Sequence, residues 1–390
     1  MQNNLQTPYF LIHEELLSQN VDSFRKALDS LWPYSQISYS VKTNALPWIL
    51  KWMNNKNVYA EVVSDDEYNL ALLSGFSPDQ IVFNGPVKGT ECFRKALQMA
   101  SVINIDSARE LEILKSENKR PTKRIGIRIN VDAEIFSKED VGYQEDGFRF
   151  GFSEKNGALE NAFRIIQSIS TDGRFGLHMH VNSITRSAEV YKRIAVYAAT
   201  VIRRYHLDPS YIDIGGGFFG GVPGKTTPDE YISVIKDALA GTVDPTKTCL
   251  IIEPGSAMIG SAVELHSTVL DVKDTVHARI VTTDASRIHI DPLWLKNKYM
   301  FSLDATKPPH PRQVICGYTC MDHDRIMVIE NSPELSVGDH IVYHRVGNYT
   351  ITFGGPFIKP YPPVYALTGK SCVLVRKAMT IEEYYRMETV

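Results

Sequence analysis

The sequence predicts a (β/α)8 barrel followed by an all-β domain, and three observations carry that reading. Eight short apolar or β-branched runs recur through the first two thirds of the chain. Segments with helical periodicity lie between them. After Gly260 the texture changes to short strands separated by turn-forming residues.

The eight runs are 37–42, 58–64, 81–85, 101–106, 124–130, 173–181, 211–217 and 250–255. Each is apolar over consecutive positions, as a strand buried on both faces requires. The intervening helices are read from spacing and caps. In 45–54 the apolar residues Leu46, Ile49, Leu50 and Met53 fall at offsets of three, four and seven. Segment 65–75 opens on acidic residues and ends at a glycine; 160–170, 188–205 and 228–240 read likewise. A doubly wound open sheet is the alternative, since a count of strands from one sequence easily errs by one or two.

Beyond Gly260, 262–272, 278–283, 312–316, 325–329 and 340–344 read as strands, with turns at Asn331-Ser332-Pro333 and Gly338-Asp339. Helical periodicity returns only in the tail, 380–387. The expected domains are a barrel at 20–260 and a β-rich domain made of 261–390 with 1–19 added to it. No flexible linker separates them.

Composition excludes several classes of function. Of the 390 residues, 43% are hydrophobic and 22% charged, and the net charge of −3 suits no polyanionic partner. No basic run marks a nucleic-acid face. The first residues, Met1 to Pro8, lack a basic stretch followed by an apolar one, and no apolar run is long enough for a bilayer. The five cysteines (Cys92, Cys249, Cys316, Cys320 and Cys372) are odd in number and have no ligand spacing. That pattern suits a reducing, cytoplasmic setting without disulfides or structural zinc.

Barrels place function at the C-terminal ends of their strands, and the chemically able residues fall there. Lys42, in Tyr39-Ser40-Val41-Lys42-Thr43-Asn44, closes the first run. Desolvation there would ease loss of its proton, as a Schiff-base nucleophile needs; on position alone, a surface lysine is the commoner reading. Arg128 lies near the end of the fifth run, and His180 and Ser183 at the end of the sixth. Gly215, Gly216 and Gly217 end the seventh. Three glycines let a backbone approach an anion with its amides inward, and a phosphate site is the favoured reading over a plain turn. The spacing is GGGxxGG, not that of a dinucleotide fingerprint.

Glu253 ends the eighth run in Ile-Ile-Glu-Pro-Gly, where a carboxylate is costly unless paired. A protonated pyridine nitrogen is one partner, and a neighbouring Arg or Lys the plain alternative. His178 and His180 share a face at period two, but no third ligand is evident and no metal is expected. A ring stacked on a flat cofactor suits His180 better. In the β-rich half, Cys320 lies among polar turn residues in Gly317-Tyr318-Thr319-Cys320-Met321-Asp322-His323-Asp324, a candidate proton donor. Tyr349, in Gly347-Asn348-Tyr349-Thr350, offers a phenol to a phosphate. Each of these two alone reads more simply as a loop feature.

Taken in order, YSVKTN, EVVS, GIRIN, GLHMHVNS, DIGGGF, EPG, GYTCMDHD and GNYT resemble the fold-type III pyridoxal-phosphate decarboxylases. That family holds ornithine/arginine-type and diaminopimelate decarboxylases, and alanine racemase shares its architecture. The resemblance runs from Thr7-Pro8-Tyr9 to Tyr349. It implies pyridoxal 5'-phosphate as cofactor, Lys42 as the residue forming its aldimine, and His180 stacked on its ring. Glu253 would hold the pyridine nitrogen protonated, and Arg128 would lie near the ring and the lysine. Ser183, Gly215, Gly216, Gly217, Gly255 and Tyr349 would hold the phosphate. It further implies a homodimer in which Cys320 of one subunit protonates the substrate carbon in the other.

The departures bear on the substrate. Ser256 stands where the family has a phosphate-side arginine, Glu61 where aspartate is commoner, and Asn182 where glycine is usual. Met321 follows Cys320 where ornithine- and diaminopimelate-type enzymes carry an acid that reads the far end of the substrate. Asp284 matches a family aspartate that contacts a distal amine, and Asp322 can stand in for the missing acid. The expected activity is decarboxylation of an amino acid, or of a larger or tethered conjugate from a specialised biosynthetic pathway. An amino-acid racemase, a non-catalytic pyridoxal-phosphate carrier and a barrel without cofactor are the competing readings.

Overall fold

In the computed structural model, which describes residues 5–99, 101–117, 122, 124–142 and 147–389, the chain divides into two units. One is Asn20–Met258; the other joins Met1–Gln19 to Ile259–Val390. The stretch read for a leader therefore lies partly, at 1–4, outside the described residues.

In chain order, β1 (Tyr9–His13) and α1 (Glu14–Leu31) come first. Then follow β2 (Ser35–Ser40), α2 (Pro47–Asn55), β3 (Tyr59–Val62), α3 (Asp65–Leu73), β4 (Ile81–Phe83) and α4 (Thr90–Gln98). After them come β5 (Val102–Ile105), α5 (Ala108–Ser116), β6 (Ile125–Arg128), α6 (Ala158–Ile169), β7 (Gly176–His178) and α7 (Ala188–Arg204). The unit ends with β8 (Tyr211–Asp213), α8 (Pro228–Leu239), β9 (Cys249–Ile252) and the short α9 (Ser256–Ile259).

Among the described residues β2 to β9 form a closed barrel of parallel strands, sealed where β2 meets β9 with Ile37 opposite Ile252. All eight predicted strands are present, several of them shorter than the apolar runs suggested. The apolar run 173–181 yields only Gly176–His178, and Lys42 lies in a single 3₁₀ turn, Val41–Thr43, just past β2 rather than at its end. The helices start where side chains can satisfy free amides. Ser64 accepts from Glu67 N at 3.1 Å ahead of α3. Thr227 and Glu230 form a reciprocal cap on α8, with Pro228 at its first position. Helices α1, α4 and α5 were not legible from periodicity.

The barrel interior has two layers. The lower is apolar: Val82, Val102, Tyr211 and Ile251 cluster there, with Cys249 against them. The Tyr211 ring fills the space over β7, since a Cβ on Gly176 would come within 2.0 Å of it. Two residues further along, toward the C-terminal ends, the same inward positions turn polar: Asn84, Asn104, Asp213 and Glu253. All four are buried.

The second unit contains β10 (Val263–Asp274), β11 (Arg279–Thr283), α10 (Arg287–Ile290), β12 (Met300–Asp304), β13 (Pro309–Cys316) and β14 (Arg325–Pro333). It continues with β15 (His340–His344), β16 (Val364–Thr368), β17 (Ser371–Arg376) and α11 (Ile381–Met387). Its sheet runs β14-β13-β11-β10-β1-β16-β17, with β15 pairing β10 and β12. It is mostly sheet with a helix in the tail, α11, as expected, and the short α10 is added. Strand β1 pairs antiparallel with β10 and parallel with β16. Glu264 of β10 pins it there: its carboxylate meets His13 at 2.9 Å, His344 at 2.7 Å and His266 at 3.3 Å. Burial would push the Glu264 carboxyl up, but the three histidines hold it well below the usual range. Strands β12, β16 and β17 were missed; β12 is exposed at alternate positions and lacks the apolar run that marked the others.

Candidate functional site

The polar layer is a connected hydrogen-bond network. Lys42 Nζ donates to Ser40 Oγ at 2.7 Å and to Glu61 Oε2 at 2.8 Å, and Ser40 Oγ donates to the same oxygen at 2.5 Å. Residues Ser40 and Glu61 are direct register partners on β2 and β3, so pairing of the strands alone brings the lysine turn onto the carboxylate. Asn84 Nδ2 then bridges, donating to Glu61 Oε1 at 3.1 Å and to Glu253 Oε1 at 2.5 Å. Glu253 shares a hydrogen bond with Asp213. Asn104 closes the network, donating to Asn84 Oδ1 at 2.8 Å and Asp213 Oδ2 at 3.0 Å and accepting from Tyr211 OH at 2.7 Å.

Electrostatics divide the three acids. Burial pushes Glu61 up, but the Lys42 ammonium and the hydrogen bonds from Lys42, Ser40 and Asn84 outweigh it and hold it below the ordinary carboxylate range. Burial pushes Glu253 well above that range, helped by the charges of Asp213 and Glu61. Asp213 rises to about 7, chiefly through burial. Two close carboxyls that cannot both ionise share a proton. The plain alternative for Glu253, an ion pair with Arg or Lys, gives way to Asn84 and Asp213 as its partners.

Histidines 178 and 180 separate. His178 is buried with its Nε2 3.9 Å from Glu253 Oε2, and donor atoms of His178, Asp213 and Glu253 lie within 4.8 Å of one another. The sequence reading looked for a third ligand beside His180; the grouping forms instead across β7, β8 and β9, because inward positions of neighbouring strands meet. Burial, then the charge of Arg128, drives the His178 pKa well below its usual value. His180 falls to about 3 through burial, Arg128 and Lys42. Its Nδ1 accepts from Gly216 N at 3.2 Å, so the neutral ring carries its proton on Nε2.

The glycine turn lies tight against these groups. Gly215 and Gly217 take φ of +72° and +92°, where a side chain would be strained. A Cβ on Gly215 would sit 2.5 Å from His180 Nδ1, and one on Gly216 2.3 Å from the Glu253 carbonyl oxygen. Tyr191 OH donates to Gly216 O at 3.0 Å from beneath. Arg128 Nη1 lies 3.4 Å from Asp106 Oδ1, and its guanidinium covers Phe150 at 4.5 Å. The Ser183 hydroxyl is already engaged, donating to Asp140 O at 3.0 Å and accepting from Arg186 N at 2.8 Å. Gly255 and Ser256 follow Glu253 at the start of α9.

The remaining sequence-derived residues belong to the other unit. Cys320 is exposed, in a turn held by Asp324, which accepts from Ser286 Oγ, Thr319 Oγ1 and Arg287 N at 2.7–3.0 Å. Met321 is half-buried, and Asp322 is exposed and accepts from Arg325 at 2.8 Å. Asp284 is buried, with Oδ2 taken by Thr7 at 2.6 Å and Oδ1 by Thr268 N at 2.9 Å. Tyr349 has φ of +52°, an uncommon conformation for an aromatic residue.

Sequence reasoning missed Ser40, Asn84, Asn104 and Asp213. A signal was present: in Val-Ile-Asn-Ile and Tyr-Ile-Asp-Ile a lone polar residue interrupts a buried strand two positions after an inward apolar one.

The residues fit pyridoxal phosphate: a primary amine with 40% of its side chain exposed, a neutral imidazole, a buried carboxyl that a nearby cation would help to ionise, and a turn built for close approach. The family described as "Pyridoxal-dependent decarboxylase, pyridoxal binding domain" matches residues 15–260, more than half of the chain. A diaminopimelate decarboxylase from Helicobacter pylori is 27% identical over 98% of this chain and 95% of its own length. A probable chloroplastic diaminopimelate decarboxylase from Oryza sativa is 25% identical over 97% of this chain and 79% of its length. The crystal structure of a diaminopimelate decarboxylase from M. jannaschii superposes with a TM-score of 0.85 at 20% identity, over 99% of this chain and 93% of that one, a likeness of fold. A match of that extent over the barrel means that the chain belongs to the pyridoxal-dependent decarboxylases: it is an amino-acid carboxy-lyase that works with pyridoxal 5'-phosphate.

Proposed function

We propose that Lys42 is the amine to which pyridoxal phosphate attaches and that the enzyme decarboxylates an amino acid, or an amino-acid-bearing conjugate, in a specialised biosynthetic pathway of the cytoplasm. The observation that carries this is the hydrogen-bonded path Lys42–Glu61–Asn84–Glu253, which ties the amine to the buried carboxyl across the barrel. When bound, the cofactor supplies an electron sink for the bond to the departing carbon dioxide.

The chain's own residues do the rest. Glu61 stays ionised and keeps the Lys42 amine oriented through its bond at 2.8 Å. Glu253 and Asp213 hold one proton between them, and a cation set beside Glu253 would remove the cost of ionising it. His180, neutral and locked by Gly216 N, offers a flat face without adding positive charge. The glycine turn, Gly255, Ser256 and Tyr349 are assigned to the phosphate, Ser183 joins them where its hydroxyl gives up Asp140 O, and Arg128 is assigned to the edge of the site. Cys320, contributed by the second subunit of a homodimer, returns a proton to the substrate carbon.

On the substrate, the relatives named above carry diaminopimelate in their names, but two observations favour a different far end. Met321 is apolar, and both Asp284 oxygens already accept hydrogen bonds within their own unit. Asp322 is exposed, and with Oδ1 paired to Arg325 at 2.8 Å its other carboxylate oxygen is the one assigned to a distal group. The test is a screen for carbon dioxide release over diaminopimelate, ornithine, lysine and their acylated or carrier-linked conjugates, in wild type and Lys42→Ala. Release from a conjugate, lost in Lys42→Ala together with the borohydride-sensitive cofactor absorbance, is expected. Full turnover of a small diamino acid with none of its conjugates would overturn the substrate reading alone; a retained absorbance in Lys42→Ala would overturn the role of Lys42.

A further inference from the structure

Two cations converge on one aromatic ring beside the glycine turn. Phe219 follows Gly215-Gly216-Gly217-Phe218 directly. The Arg186 guanidinium lies 5.5 Å from its ring centroid, and the Lys225 ammonium 5.4 Å. Lys225 is exposed on its own loop, but Arg186 is half-buried and firmly built in.

Arg186 belongs to the segment after β7 that also carries His180 and Ser183. Its φ is +50°, a left-handed conformation that costs an ordinary residue roughly 1 kcal/mol or more. Hydrogen bonds on both sides hold it there. Its amide donates to Ser183 Oγ at 2.8 Å, and its carbonyl accepts from Tyr231 OH at 2.5 Å. That same phenol oxygen accepts from Phe219 N at 3.2 Å. The buried Tyr231 of α8 therefore clamps the arginine's loop to the residue that leaves the glycine turn. Such strain persists only where the surroundings over-determine it, and it clusters at ligand-binding segments.

The electrostatic side agrees. The Arg186 charge is felt by the phenols of Tyr191 and Tyr231, and Tyr191 is the residue that holds Gly216 O. On the β9 side the chain offers Gly255 and Ser256, neither charged. Gly215 N donates to Asp213 Oδ1 at 2.9 Å and Gly216 N to His180 Nδ1 at 3.2 Å, so a phosphate brought to the turn would find few amides and need a counter-charge.

We infer that Arg186 supplies that counter-charge for the cofactor's phosphate, with Lys225 as a more exposed second cation. The inference rests on the assignment of the glycine turn to the phosphate. It gives the Ser183 hydroxyl a defined task, holding the arginine's backbone, and it makes Tyr231 a positioning residue.

The test measures binding of pyridoxal phosphate and of phosphate-free pyridoxal to the full-length chain, read from cofactor absorbance, in wild type, Arg186→Ala, Arg186→Asn and Arg186→Lys. Asparagine tolerates the left-handed backbone, so it removes the charge with least risk to the fold. Loss of a charge-assisted phosphate contact should weaken pyridoxal phosphate about tenfold to a hundredfold in the Ala and Asn variants. Pyridoxal binding should be nearly unchanged, and Arg186→Lys should recover most of the loss. An unchanged preference for the phosphorylated form in Arg186→Asn overturns the inference, as does an equal loss for both forms. A wild-type chain that binds the two forms equally well would instead overturn the assignment of the turn to phosphate.

Discussion

The two layers of the barrel interior are equally buried and chemically opposite. Val82, Val102, Tyr211 and Ile251 form an apolar plug, whereas Asn84, Asn104, Asp213 and Glu253, two residues further along the same strands, form a network. The lower layer gains stability from burial at about 25 cal/mol per Å². The upper layer gains little, because each polar group must offset its desolvation with a hydrogen bond. What it provides instead is a fixed arrangement of protons, with Glu61 ionised and the Glu253–Asp213 pair holding a proton a few ångströms away. Environments that push neighbouring acids apart are how one fold runs acid and base chemistry together.

That contrast can be broken from either side. Glu253→Ala should have the largest effect, lowering kcat by about a thousandfold or more through loss of preorganised charge. Thermal unfolding should change modestly, since a costly buried acid goes with it. Asn84→Ala should come next, at about tenfold to a hundredfold in kcat and ~2 kcal/mol in stability, because it leaves two carboxyls without their shared donor. A kcat like that of wild type with a lowered melting temperature would reduce Asn84 to a structural role. In the lower layer, Val82→Ala should cost ~1–3 kcal/mol of stability with kcat held within about twofold.

The sharpest probe of the comparison is pH. Asp213 titrates at about 7 in the fold, against about 4 in an unfolded chain. Its bound proton contributes stability that is present below about pH 4 and lost as pH rises through 7. His180, held at about 3, acts in the opposite sense: its contribution is present above about pH 6.5 and lost as pH falls. Asp213→Asn in the cofactor-free chain should therefore become more stable relative to wild type between pH 5 and 8, by on the order of 2 kcal/mol. A difference independent of pH would show that Asp213 is not the shared-proton site. The smallest effect belongs to Tyr211→Phe, which removes one hydrogen bond from the plug to the network and should cost about 1 kcal/mol.

The alternation of apolar runs with helical segments was enough to read all eight barrel strands, and Lys42, His180, the glycines and Glu253 stood out because polar or glycine residues at apolar strand ends are unusual. Asn84 and Asn104 did not stand out, since an asparagine near a strand end reads as an ordinary turn residue until its partners are known. Arg186 carried no signal at all.

The order of hydrophobic and polar residues along the chain by itself determined the barrel and the chemical inventory at its mouth, because burial on both faces of a parallel strand is a local, repeating demand. Only the tertiary structure decided how that inventory is wired. Which oxygen Lys42 meets, which acid keeps a proton, and which cation lies over the Phe219 ring depend on distances between residues far apart in sequence. Hydrogen bonds and charges act over a few ångströms, and those distances exist only once the strands have closed.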